Sequence, residues 1–409
     1  MRQKRIILTL FAVLCLGLPS RAQSGYGWDA ATNETIFNET LSYLMTMQQE
    51  MVGEPAYYRT QQLVIELQAA FKSDPYAWMN QVHNFCNDLE AIYPPTLSHP
   101  KVSRNGEDQY DKIRRALTRL RDYPMHEVWQ DDDAIIPPAE QKAAFSAANK
   151  QWLTRKRAEM LEFLRSPRPT GNELQVAKVY SSGYIFRTKD ACIGIDLCYG
   201  EGMYDAVGRD EIEDMLDAIF TTHAHGDHMD LTMIGNMIRK GKAAVGPSTM
   251  DDRYFKNVEG RKFYWAESQF DPVEICPTVT AQAYMSGQGV EPCLLYIIQI
   301  GDWRIADVGD NSDHRNEAKI YPLYPMVDIA MCPVFQGVVN FLNSTLQGPN
   351  PTNIEQIYFN LHENEWHHHI EGRVSYRFFY TNSGAFNSAS FNYCSSVILD
   401  NGEYITLHK

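Results

Sequence analysis

Three histidines and an aspartate crowd into the six residues from His223 to His228, within the stretch TTHAHGDHMD. Imidazole is costly to bury unless it is paired or metallated, so this density points to ligand chemistry. His223 and His225, two residues apart, can grip one ion together. Asp227 and His228, on the next turn, can grip a second ion beside it. Nitrogen ligands with one carboxylate suit Zn best, as one or two ions, with Mn and Fe as the alternatives. Two ions at such spacing can hold a hydroxide between them and polarise a carbonyl or phosphoryl oxygen.

Such side chains need a rigid mount. The apolar Ala218-Ile219-Phe220 runs straight into the cluster and reads as a buried strand that ends in the ligand loop. Around it, residues 173–409 alternate strand and helix patterns. QVAKVYSSGYIFRTKDACIGIDL reads as a hairpin about Thr188-Lys189-Asp190. RDEIEDMLDA and LTMIGNMIRKG read as helices, and KAAVG as a short strand. TVTAQAY, CLLYIIQI, WRIADVGD, VDIAMCP and QIYFNLH read as further strands. SSVILDNGEYITL reads as two strands of a closing hairpin about Asp400-Asn401-Gly402. The pattern predicts a layered α/β domain with mixed sheets. Before it, residues 23–165 carry helical periodicity throughout, and the Pro/Gly break at 166–172 is the expected linker between the two regions.

The first 22 residues read as a secretory signal peptide: Arg2, Lys4 and Arg5, then the apolar Ile6 to Leu18, then Ser20-Arg21-Ala22. No later stretch is apolar enough to span a membrane, so the mature protein is expected to be exported, periplasmic or secreted, with no integral membrane span. Removing these residues takes away four basic and no acidic groups, shifting the formal charge from −14 to −18. That field repels phosphate backbones and disfavours a nucleic-acid partner; a small-molecule substrate is expected instead. Seven cysteines remain, scattered and without a CxxC pair, as buried thiols or as one or two disulfides. Nothing in the sequence fixes an oligomeric state.

With its flanking motifs, the cluster resembles the metallo-β-lactamase superfamily over residues 175 to about 407, in a branch similar to ascorbate-phosphate lactonase. HAHGDH is the superfamily's most specific motif. The resemblance implies an αββα sandwich, here with an extra N-terminal helical region. It also implies roles for three more residues. Asp196 of IGIDL falls where an aspartate behind the ligands steadies the metal loop. Asp310 of IADVGDN falls where a carboxylate bridges both ions. His362 of NLHENE falls where a histidine binds the second ion.

One ligand of that pattern is missing, because no histidine occurs between His228 and His314. Register puts Met285 where the first ion's third histidine belongs, and a thioether is a weak ligand for Zn. Gln282 beside it could coordinate through its amide oxygen. His314 could swing in instead, as could His367, His368 or His369 of the triple histidine. Asn364 and Glu365 of the same loop could orient ligands from behind.

The leading expectation is a metal-dependent hydrolase in which a metal-bound hydroxide attacks an ester, lactone, amide or phosphoester of a small molecule. Asp310 would hold the ions, and Asp227 would also orient the water or carry its proton. The rival expectation is a non-catalytic binding protein that keeps the fold around an incomplete metal site.

Overall fold

The computed structural model of the 409-residue chain describes residues 52–73, 78–96, 139–198, 208–310, 327–333, 357–361, 395–397 and 399–409, with scattered positions between 34 and 49. Three long helices come first: α1 (Pro55–Ser73), α2 (Trp78–Ile92) and α3 (Ala139–Arg165). Beyond them the described residues form a sandwich of two seven-stranded sheets.

The first sheet holds β1 (Leu174–Tyr180), β2 (Gly183–Arg187), β3 (Cys192–Ile195), β4 (Ala218–Phe220), β5 (Ala243–Pro247) and β6 (Lys262–Trp265) in sequence order. The second holds β7 (Gln269–Cys276), β8 (Val279–Gln288), β9 (Glu291–Ile300), β10 (Trp303–Asp307), β11 (Ile329–Pro333), β12 (Ile357–Leu361) and β13 (Ser395–Val397). A last strand, β14 (Tyr404–Leu407), returns to the first sheet and pairs antiparallel with β1. Each sheet is antiparallel at one end and parallel at the other, with β3, β4, β5 and β6 parallel in one and β10, β11, β12 and β13 parallel in the other.

This corrects the expected closing hairpin. β13 pairs with β12 and β14 with β1, so Asp400-Asn401-Gly402 is a crossover between sheets. A two-residue turn would have kept both strands in one sheet, but Val397, Leu399 and Leu407 all belong to the core between the sheets. The crossover is fastened instead to the β1–β2 turn. Asn401 Oδ1 accepts from the Ser181 amide at 3.0 Å, and the Gly402 amide donates to Lys178 O at 2.8 Å.

The inter-sheet core is continuous, with Val176, Phe186, Ile193 and Phe220 facing Ala281, Leu294, Ile298 and Ile305. On the outer face of the first sheet lie α4 (Arg209–Met215) and α5 (Leu231–Arg239), together with the last turns of α3, whose Met160, Leu161 and Leu164 pack among Val179, Ile185 and Ile219. The buried Lys156 of α3 joins Glu90 of α2 at 2.5 Å and lies 3.8 Å from the buried Glu403 beside β14. The helical region is thus anchored on the sandwich by a side chain as well as by packing. In the 166–172 segment, Ser166 O accepts from Arg187, and Asn172 O accepts from Trp303 Nε1. Cys86, Cys192, Cys198, Cys276 and Cys293 are buried. Among the described residues no helix is long and apolar enough to cross a membrane.

Candidate metal centre

β4 is three buried residues wedged between parallel β3 and β5, so the backbone leaving it has little freedom. The second sheet holds the same strand end from across the core. The β9 residue Tyr296 donates its hydroxyl to Thr221 O at 2.7 Å, and the Leu294 amide donates to Thr222 O at 2.8 Å. Beyond the loop, Asp230 caps α5 by accepting from the Met233 amide. The ligand loop is therefore fixed at both ends and across both sheets.

Within it His223, Asp227 and His228 are buried, and His225 is half-buried. The His223 ring centroid lies 4.5 Å from that of His225 and 4.2 Å from that of His228. Ligand atoms of His223, His228 and Asp310 all lie within 4.8 Å of one another. His228 Nε2 stands 3.2 Å from Asp227 Oδ2 and 3.4 Å from Asp310 Oδ1. His223 Nε2 is buried with no hydrogen-bond partner. A buried nitrogen without a partner, beside two carboxylates and a second imidazole, is what a divalent metal would satisfy. The donor set fits such an ion.

Asp196 orders the cluster. It follows β3 directly in a left-handed backbone conformation, φ 48°, which an aspartate tolerates better than most residues. Its Oδ1 accepts the Thr222 amide at 2.7 Å, and its Oδ2 accepts the Thr222 hydroxyl at 2.7 Å and meets His228 Nδ1 at 2.6 Å. A carboxylate only accepts, so His228 Nδ1 carries the hydrogen and Nε2 faces the site. The same logic reaches His223 through one more link. The Thr222 hydroxyl spends its single hydrogen on Asp196, so at the 3.0 Å contact with His223 Nδ1 it must accept. His223 Nδ1 is then also protonated, and its Nε2 offers a lone pair to the site. One aspartate thus sets both tautomers, directly for His228 and through Thr222 for His223.

The charges separate the two rings: His223 is held neutral, whereas His228 keeps a second proton that a metal would displace from Nε2. Burial and the neighbouring His228 push the His223 pKa well below its ordinary value, keeping that ring neutral. Burial works against protonation of His228 too, but Asp227, Asp310 and Asp196 together raise its pKa well above the usual value. Asp307, at the end of β10, is fully buried; burial first and the charge of Asp196 second raise its pKa, while Oδ1 accepts from the Gly309 amide at 2.7 Å. Gly309 sits at φ 51°, and a Cβ there would stand 2.7 Å from Thr222 Oγ1 and 2.8 Å from Thr222 Cβ. The turn that carries Asp310 is thereby seated directly on Thr222.

Of the residues singled out from sequence, the structure brings together His223, His225, Asp227, His228, Asp310 and Asp196. Met285 packs against the inter-sheet core and gives its amide to Ser268 Oγ at 2.8 Å. Gln282 is bonded to Phe270 O. His314, His362, Asn364, Glu365, His367, His368 and His369 lie outside the described residues. Sequence reasoning missed Thr222, Asp307 and Gln288, whose Nε2 donates to Asp310 Oδ2 at 2.9 Å. The only signal for Thr222 was its place between a strand end and the cluster.

No protein-family model matches the chain, and no curated protein matches it. Among solved structures, the chain is similar in fold to several proteins, one of them named for the metallo-β-lactamase fold. A possible metal-dependent hydrolase from Veillonella parvula is 15% identical with a TM-score of 0.42, over 57% of this chain and 99% of that one. The metallo-β-lactamase fold protein YhfI from Bacillus subtilis is 13% identical with a TM-score of 0.40, over 58% of this chain and 100% of that one. CmlA, a diiron β-hydroxylase from Streptomyces venezuelae, is 11% identical with a TM-score of 0.40, over 67% of this chain and 58% of that one. At these values the likeness concerns layout alone and says nothing of the metal or the reaction.

Proposed function

We propose that the chain is an exported metal-dependent hydrolase acting on an ester, lactone, amide or phosphoester bond of a small molecule. The observation that carries this reading is the buried His223 Nε2, without a hydrogen-bond partner, converging with His228 and Asp310. His223, His225 and Asp310 would hold one ion, and Asp227, His228 and the shared Asp310 a second, with His362 as the further ligand that sequence suggests. When bound, the metal supplies Lewis acidity toward a carbonyl or phosphoryl oxygen and makes water acidic enough to react near neutral pH. Zinc is the first choice for imidazole and carboxylate donors, with Mn and Fe as alternatives.

The chain's own residues do the positioning. Asp196 and Thr222 hold both imidazoles with Nε2 toward the ion, so no reorientation accompanies loading. Asp227, buried and next to His228 Nε2, would orient the attacking water or take its proton. The test is elemental analysis of protein purified without added metal, followed by turnover on a panel of lactones, esters, amides and phosphoesters. Metal together with turnover on any class supports the reading. Metal without turnover on the whole panel favours a binding protein. Absence of metal even after zinc is supplied refutes the metal reading. Export is tested separately by N-terminal sequencing of envelope or medium fractions, where a start near Gln23 is expected. An intact Met1 in the cytoplasmic fraction would refute it.

A further inference from the structure

We propose that Gln288 is a metal ligand, its amide oxygen standing where no histidine is available to the ion held by His223 and Asp310. The inference rests on the metal-centre reading above and goes beyond it by assigning a residue and a donor atom. Gln288 ends β8 at the tip of the β8–β9 hairpin, opposite Glu291. Its Nε2 donates to Asp310 Oδ2 at 2.9 Å. Its Oε1 is buried with no hydrogen-bond partner, and so is His223 Nε2. Asp310 and His223 belong to the one group of ligand atoms that converges within 4.8 Å among the described residues. The two amide atoms of Gln288 share a carbon, so anchoring Nε2 on Asp310 keeps Oε1 beside that group. A buried amide oxygen with no donor is costly, and a cation would satisfy it without moving the side chain.

The other residues of this strand serve different purposes. Met285 continues the row of Val279, Ala281 and Ala283 into the inter-sheet core, and Gln282 is engaged by Phe270 O. The chemistry of the site changes accordingly. A neutral oxygen donor in place of an imidazole leaves the ion more weakly held and favours harder metals than three nitrogens would.

Two roles for Gln288 must be separated: ligand through Oε1, or support for Asp310 through Nε2 alone. Substitution by glutamate separates them. A carboxylate can still bind the ion as an oxygen donor, but it cannot donate to Asp310 and would repel it. The experiment uses the full chain with metal removed, then titrated with Zn²⁺ and Co²⁺ against a competing chelator, with Co²⁺ absorption as the spectroscopic readout. Gln288→Ala is expected to weaken the first ion by about 10–100-fold, the range found when even a supporting partner of a ligand is lost. It should also shift the Co²⁺ bands. Gln288→Glu and Gln288→His are expected to bind at least as tightly as wild type, and Met285→Leu to bind unchanged. Melting curves of the metal-free variants check that each is folded; the paired Glu and His variants keep the test decisive if the Ala variant is not. Wild-type binding in Gln288→Ala would overturn the assignment, as would weakening by Glu equal to that by Ala, or loss of metal in Met285→Leu. No metal in wild-type protein would overturn it together with the proposed function.

Discussion

Thr222→Val tests the tautomer argument at its narrowest point. Valine keeps the shape of threonine and the backbone amide that donates to Asp196 Oδ1, and removes only the hydroxyl. That hydroxyl is buried, donates to Asp196 Oδ2 at 2.7 Å and contacts His223 Nδ1 at 3.0 Å. Without it the buried His223 Nδ1–H has lost its acceptor. Stranding a buried donor costs about 1–3 kcal/mol, and flipping the tautomer to avoid that cost would put the hydrogen on Nε2, where the metal should bind. Either way metal affinity falls, by about 10–100-fold on the scale of supporting partners. The assay is chelator competition on metal-free wild type, Thr222→Val and Thr222→Ser, with histidine tautomers read by nitrogen NMR. Serine restores the hydroxyl and should recover most of the affinity. Wild-type metal affinity in Thr222→Val, or an Nε2-protonated His223 in wild-type metal-free protein, would refute the relay.

Further expectations concern other joints of the structure. Gly309→Ala puts a methyl 2.7 Å from Thr222 Oγ1 at φ 51°, so about 1–3 kcal/mol of overpacking adds to left-handed strain; a lower melting temperature and looser metal should follow, and unchanged values would mean the Asp310 turn is not seated on Thr222. Because the three carboxylates hold a proton on His228 above its ordinary pKa, metal must displace it, so uptake should release about one proton and tighten as pH rises. Calorimetry in two buffers of different ionisation enthalpy reads that directly, and buffer-independent heats would contradict it. Lys156→Met removes the cation that meets Glu90 at 2.5 Å and stands 3.8 Å from the buried Glu403, and should destabilise the protein by about 3–5 kcal/mol, the cost of breaking a buried pair from one side. A Tm within a degree of wild type would show that Lys156 does not fasten the helices to the sandwich.

The histidine loop was legible because ligand chemistry needs particular residue types at short spacing, and a short apolar strand precedes it. Asp196 was singled out only through the resemblance to a known motif order, and its grip on Thr222 was not legible, since that contact joins positions 26 residues apart in sequence. The closing hairpin was misread for a physical reason. Asp-Asn-Gly encodes a reversal of the chain, but local turn chemistry cannot say in which sheet the next strand will lie; burial of Leu399 and Leu407 between the sheets decides that. Met285 illustrates the reverse lesson. Val279, Ala281 and Ala283 already mark the core-facing side of β8, and the alternation of a strand carries Met285 onto that side. Gln288 and Asp307 were invisible because a hairpin tip and a strand end carry no periodic signal; only the partner across the fold gives them meaning.

The pairing of β14 with β1 bears on how the molecule is made. Leu174 lies opposite Leu407, so the first strand of the sandwich finds its outer neighbour only among the final residues described. On the ribosome, β1 waits with an open edge until the chain up to Leu407 has emerged. Closing so long a span is entropically slow, and contacts of this range are associated with slow folding. The waiting intermediate is exposed to strand exchange between neighbouring chains, with β14 of one copy completing β1 of another. A chain held unfolded until β14 is available would escape that hazard.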